Sequence, residues 1–351
     1  MKLVIATPLY PPQGGGPATY SALLEKALPV FEVPVMVKFS DVRRLPKLIR
    51  HIAYFLQVHK ALKDADMLLV LDPVSTGVPA SLAARMRKKP YVVKIVGDYA
   101  WEQGVQRFGI TETLDNFNHK KVRNPFVTAL CAIEHMVAQH AAHVIVPSNY
   151  LKRVVVGWGI KEEKIAVIYN AVDVSKRGTI PKTVTELPRP RIVTVARLVP
   201  WKGVRELIDS MEAVSGSLTV VGDGVERVSL EAHAKKLQPR VVFTGELSHE
   251  DTLAVIEDAD VFVLNSRYEG LPHVVIEALL LSTPVIATDV GGTRELISSP
   301  SEGILIAPED TQALTEALSK VSNLSRPTVA AEQFSVDTMV GKTAALLKTL
   351  A

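Results

Sequence analysis

The chain has a single cysteine, Cys131, so an internal disulfide is excluded and a reducing, cytoplasmic setting is expected. It also lacks any apolar run of the ~18 residues that a membrane span requires. The best candidate, residues 125–147, is interrupted by Glu134, His135, Gln139, His140 and His143. The apolar N-terminus is cut by Pro8, Pro11 and Pro12 and reads as a buried strand rather than a signal peptide. No Gly-Lys-Ser/Thr follows the glycine run at 14–16, which excludes a P-loop. A complete G-x-G-x-x-G with its downstream acid is missing too, which argues against a dehydrogenase. The second half has no Asp-x-Asp suited to a metal at a strand end; Asp64-Ala65-Asp66 precedes a strand and reads as a turn. Neither a metal nor another cofactor is therefore expected, and no nucleic-acid partner.

What is present suits a globular chain of two domains. Its 351 residues exceed one ordinary core, and 47% hydrophobic with 22% charged residues is typical of such proteins. The net charge of +3 conceals an asymmetry. Residues 1–172 hold 22 Lys and Arg against 13 Asp and Glu, a balance of +9, while residues 173–351 hold 18 against 24, a balance of −6. A basic first half suits an anionic partner. Two basic stretches stand out: 38–51, with Arg43, Arg44, Lys47 and Arg50, and 107–123, with Lys120 and Lys121. They suggest an anionic membrane surface or a phosphate-bearing acceptor, though a basic helix is often simply a solvated face.

Short apolar strands alternate with longer amphipathic helices, the rhythm of a parallel sheet covered on both faces. In the first half the strands are expected at 3–6, 33–37, 67–71, 91–96 and 143–146. A second series begins at 191–195 and continues at 217–221, 240–243, 261–264, 285–287 and 303–306. Between them, 179–190 is rich in Pro, Thr and Lys and reads as a linker. The expected fold class is α/β, two doubly wound Rossmann-like domains facing across a cleft. Their bounds are 1–172 and 173–330, with a C-terminal helix at 331–351 lying across them.

The densest motif is Glu269-Gly270-Leu271-Pro272-His273-Val274-Val275-Ile276-Glu277. Pro272 suits a first helical position, and the backbone donors of that helix start favour an anion. Glu269 before the turn and Glu277 one to two turns inside are placed to hold hydroxyl-bearing groups on either side of that anion. This is the layout of a nucleotide-sugar, although the same spacing fits a surface acid ahead of an amphipathic helix. Arg197 and Lys202 follow the first strand of the second half and can converge on a diphosphate. Gly222 and Gly224 follow another strand, where a nucleobase has room to slide against backbone, and Leu247 would frame its other side. The glycines at 14–16 allow close backbone approach to a ligand.

Together these pieces resemble retaining glycosyltransferases of family four, which have the GT-B fold. The resemblance runs through 11–16, 148–151, 170–173, 196–203, 222–224, 269–277 and 290–296, in order and over nearly the whole chain. It implies that the first domain binds the acceptor and the second a nucleotide diphosphate sugar, of UDP or GDP. Arg197 and Lys202 would neutralise the diphosphate, Glu277 would hold the ribose, and Glu269 the sugar. Backbone around Gly270, Leu271 and Pro272, with Gly15 and Gly16, would lie along the phosphates. Many members carry a His after the fourth strand, where this chain has Gly97, so that role does not carry over. Asp98 is then a candidate to meet the sugar or acceptor, with Tyr99 and Trp101 at the acceptor. His119, His249 and His273 read as surface or loop groups. A nucleotide-sugar epimerase, a phosphorylase or a pure binding protein remain as rivals.

Overall fold

The computed structural model describes the chain apart from residues 12, 14–15, 29–34, 120–123, 238–239, 329–330 and 351. It divides into two compact units, Met1–Ala171 with Gln333–Ala351, and Val172–Glu332. Each is built on one fully parallel six-stranded sheet with helices around it.

The first sheet comprises β1 (Leu3–Thr7), β2 (Val35–Lys38), β3 (Met67–Val70), β4 (Tyr91–Lys94), β5 (His143–Val146) and β6 (Ile165–Val167), in the order β2-β1-β3-β4-β5-β6. Its central strands read as unbroken apolar runs, such as Met-Leu-Leu-Val in β3, because helices cover both faces. The strand expected at 33–37 begins its described part at Val35, since residues 33–34 lie outside the described residues. Three-residue β6 was too short to carry a period of its own. The helices used below are α1 (Gly16–Ala27), α2 (Lys47–Ala61), α3 (Gly77–Arg87) and α4 (Tyr99–Phe108). The C-terminal helix Val336–Lys348 packs Met339, Val340, Ala344 and Leu347 into the core of this first unit, against Tyr20 and Leu24 of α1.

The second sheet comprises β7 (Arg191–Val195), β8 (Ser217–Val221), β9 (Val241–Gly245), β10 (Val261–Leu264), β11 (Val285–Thr288) and β12 (Gly303–Ile306), in the order β12-β11-β10-β7-β8-β9. The segment 179–190 is more than a linker. Gly178 donates to the Glu250 carbonyl at 2.9 Å and Thr179 to Asp251 at 2.6 Å, while Arg189 pairs with Asp258 and Asp260. These bonds strap it to the second unit, and composition alone did not reveal its distant acidic partners.

Lys94 at the end of β4 is 3% exposed, and among the described residues its Nζ has no hydrogen-bond partner. The Tyr20 ring offers compensation, its centroid lying 3.8 Å away. Burial lowers its pKa from the ordinary 10.5 to about 7. The cation–π contact opposes that shift by about 0.5–2 kcal/mol, less than the desolvation. Between about pH 7 and 10.5 the unfolded chain binds this proton and the folded chain does not, so stability rises with pH across that window. Lys94→Met is expected to flatten the rise and to stabilise the protein at neutral pH by up to a few kcal/mol. Urea unfolding at several pH values checks this; an unchanged slope between wild type and variant would contradict it.

Candidate active site

In an open parallel sheet, ligands bind beyond the carboxyl ends of the strands where the strand order reverses. In the second unit that reversal lies between β7 and β10. The chain runs from β7 outward to β8 and β9, then returns to β10 on β7's other side. Lys202 follows β7 and Glu269 follows β10. Two loops 67 residues apart in sequence are thereby brought together.

Local contacts fix the meeting. Gly203 is left-handed at φ 61°, and a Cβ there would stand 2.1 Å from the Asn265 carbonyl oxygen. Only glycine lets the two loops approach so closely. The Asn265 side chain donates to the Gly203 carbonyl at 2.9 Å, and the Arg267 N–H donates to the Trp201 carbonyl at 2.7 Å. The result is an ion pair between Lys202 Nζ and Glu269 Oε1 at 2.5 Å, with side chains 18% and 11% exposed. Removing either partner of so enclosed a pair leaves the other charge desolvated and unpaired, which is costly. A second loop holds Glu269 from behind. Gly291, at φ 55°, would place a Cβ 1.7 Å from the Glu269 carbonyl oxygen, and the Gly292 N–H donates to that oxygen at 3.2 Å.

Arg197 and Lys202 do not form one cluster by direct contact. Arg197 is exposed, its guanidinium 5.6 Å from the Trp201 ring centroid, whereas Lys202 belongs to Glu269. Gly222 and Gly224 pack tightly against the loop that follows β7. A Cβ at Gly222 would lie 2.0 Å from the Ala196 carbonyl oxygen, and one at Gly224 2.3 Å from that of Leu198. Their missing side chains make room for the loop after β7. Leu247 is half-buried beyond the end of β9.

Pro272 caps the helix His273–Leu280 from outside rather than occupying its first turn. Glu277 sits in that helix and is 7% exposed. Burial pushes its carboxyl above the ordinary range, and His249 pulls it back. The imidazole lies with Nδ1 3.8 Å from Glu277 Oε1 and Nε2 3.2 Å from the Asp173 carbonyl oxygen. His249 was expected to be a bystander. It is half exposed, yet it faces the carboxylate, because the helix it opens (His249–Asp258) packs beside that of Glu277.

In the first unit Asp98 and Trp101 are both enclosed. Asp98 is the N-cap of α4, accepting from Trp101 N at 2.7 Å, and is 1% exposed. Glu134, from the helix Pro125–His140, reaches the same helix start and accepts from the Tyr99 and Ala100 N–H groups at 3.1 and 3.3 Å. Burial together with the facing Asp98 carboxylate holds Glu134 well above the usual carboxylate range. Two buried acids thus share one helix terminus, whose backbone donors and dipole favour negative charge. The Trp101 indole is 5% exposed and donates to the Glu112 carbonyl at 2.8 Å, so it offers no open stacking face. Tyr99 is half-buried. Gly15 lies outside the described residues, and Gly16 begins α1.

Comparison with known proteins fits this arrangement. Residues 9–176 match the family model described as Glycosyltransferase Family 4, and residues 176–333 that described as Glycosyl transferases group 1. The chain belongs to glycosyltransferase family 4. Its two Rossmann-like domains are those of the GT-B fold. Anabaena HepE, solved in complex with UDP-glucose, shares that fold with a TM-score of 0.77 over 100% of both chains at 19% identity. The 2-deoxystreptamine glucosyltransferase of Streptomyces kanamyceticus is 26% identical over 266 residues, 71% of this chain and 65% of that protein. The GDP-mannose-dependent alpha-mannosyltransferase of Mycolicibacterium smegmatis is 38% identical over 118 residues, 34% of this chain and 30% of that protein. The matched stretch thus spans less than two-thirds of either curated relative. Among the described residues of this family-4 chain, no helix is long and apolar enough to cross a membrane.

Proposed function

We propose that this chain is a retaining, metal-independent glycosyltransferase that moves a sugar from a UDP- or GDP-sugar to an acceptor hydroxyl. The observation that carries the reading is the enclosed Lys202–Glu269 pair at the switch point of the second sheet. Glu277 lies on the helix that follows. In this reading Lys202 shares its ammonium between Glu269 and a donor phosphate oxygen, and Arg197 swings from Trp201 to the diphosphate. Glu269 accepts from the sugar hydroxyls and Glu277 from the ribose. As the sugar C1–O bond to the diphosphate breaks, the two cations stabilise the charge that develops on the leaving oxygen. The acceptor oxygen bonds to C1 on the same face, and its proton passes to that leaving oxygen. The +9 charge of the first half supports a lipid-linked or otherwise anionic glycan precursor as acceptor. That activity would be exercised in the cytoplasm.

The test is to incubate the protein with UDP-glucose and GDP-mannose separately, with a chelator present, and follow nucleoside diphosphate release and product anomer by NMR. Release from one donor with retained configuration is expected. Release from neither, inverted product, or strict dependence on added divalent metal would each contradict the proposal.

A pH dependence follows from His249. Ribose hydroxyls bind the Glu277 carboxylate, so donor affinity falls as pH drops through the raised Glu277 pKa. His249→Ala removes the group that opposes this rise, so Glu277 keeps its proton to higher pH. The acid limb of nucleoside diphosphate binding is therefore expected to move upward in pH. Titrations of wild type and variant across pH 4–8, about the range carboxylates and His span, check it; coincident limbs contradict it.

A further inference from the structure

Helix α2 is apolar on two opposite sides. Tyr54 and Val58 are fully buried against the first unit, while Leu48, Ile49, Ile52 and Leu56 are 80%, 54%, 58% and 58% exposed. At roughly 100° per residue these four aliphatics fall within an arc of about 100°, on the side away from Tyr54 and Val58. Leu45, just before the helix, is exposed as well. So are Leu82 and Met86, one turn apart on α3, which packs against α2. Single exposed aliphatics are ordinary, but this many on two packed helices form an apolar surface open to solvent.

The two helices carry charge of one sign, and the acids nearest α2 in sequence, Asp41 and Asp64, lie outside them. From residue 42 to 63 there is no Asp or Glu against six Lys and Arg, and α3 has no acid either. Arg43 and Arg44 are exposed at the start of α2, Lys60 and Lys63 at its end. Arg87 donates from Nε to the His59 carbonyl at 3.1 Å, which fixes the basic end of α3, with exposed Arg85 and Lys88, beside the end of α2. Aliphatic side chains on acid-free helices with cations at both ends match the boundary between acyl chains and anionic headgroups. Two copies of this face brought together would set cations against cations, with no acid on either helix to pair them. We propose that α2, extended by α3, docks this protein on an anionic lipid bilayer. The surface sharpens the expectation drawn from the basic stretch at 38–51; Lys120 and Lys121 of the other stretch lie outside the described residues. The inference stands on exposure and charge alone and is independent of the transfer reaction.

The test is co-sedimentation of the full chain with vesicles of phosphatidylcholine alone and of phosphatidylcholine mixed equally with phosphatidylglycerol. Binding to the mixed vesicles, its weakening by salt, and little binding to the neutral ones are expected. Ile49→Gln with Ile52→Gln should lower the partition coefficient by about tenfold or more at unchanged salt. Circular dichroism and the melting temperature should stay as in wild type, because both side chains face solvent. Arg43→Glu with Arg44→Glu should lower it independently. The proposal is overturned if the chain ignores anionic vesicles at low salt, or if the Ile variant binds as well as wild type. A dimer in sedimentation velocity that the Ile variant dissociates would overturn it as well, assigning the face to a second copy.

Discussion

Lys202→Ala is expected to lower kcat/KM for glycosyl transfer by about 10²–10³-fold, the scale on which one preorganised charge at a developing anion acts. Two losses combine. The leaving diphosphate loses a cation held at the strand-order reversal, and Glu269 loses the partner 2.5 Å away that makes its enclosed charge tolerable. The second loss would also appear without substrate, as a lower melting temperature. Glu269→Gln separates the two, since it removes the ion pair but leaves Lys202 free to meet phosphate. The expected pattern is a large loss of kcat in Lys202→Ala, with kcat in Glu269→Gln lowered less. Steady-state kinetics of nucleoside diphosphate release on variants shown to be folded measures both. Wild-type kcat in Lys202→Ala would remove the ammonium from the mechanism.

Glu277→Ala is expected to act mainly through KM, raising it by about 10–100-fold. Hydrogen bonds from hydroxyls to a carboxylate contribute about 1.5–3 kcal/mol, and the ribose lies away from the bond that breaks. A uniform binding contact raises KM and leaves kcat nearly unchanged. The deep burial of Glu277 strengthens the expectation, because a carboxylate held from water binds a hydroxyl more tightly than an exposed one. The same burial makes truncation costly to the fold, so Glu277→Gln is the companion variant. It should keep stability and lose most of the affinity. Equal loss of kcat and kcat/KM would instead place Glu277 at the reacting centre.

Both Rossmann-like domains were legible in the strand–helix rhythm, because buried parallel strands are continuous apolar runs that periodicity detects. The residues at the carboxyl ends of those strands were legible too. Arg197, Lys202, Glu269 and Glu277 all stand just after a strand or in the helix that follows it. Partnerships were not legible. The contact between Lys202 and Glu269 exists because β10 lies beside β7, and strand order is not written in either segment. The facing of His249 and Glu277 likewise depends on two helices packing side by side. Asp98 looked like a loop acid beside Gly97, since the Glu134 that shares its helix start lies 36 positions on and inside another helix. The close packing of Gly222 and Gly224 against the loop after β7 was not legible either, since it depends on which strands are neighbours.

The central claim is that the carboxyl edge of the second sheet is a clamp for a nucleoside diphosphate. Thermal unfolding of the protein with UDP and with GDP tests it most directly, because a ligand that binds only the folded state stabilises it by about 2.7 kcal/mol at a hundred times its Kd. One of the two is predicted to raise the melting temperature of wild type, with the rise abolished in Lys202→Ala. No shift with either, or an equal shift in Lys202→Ala, would contradict the account.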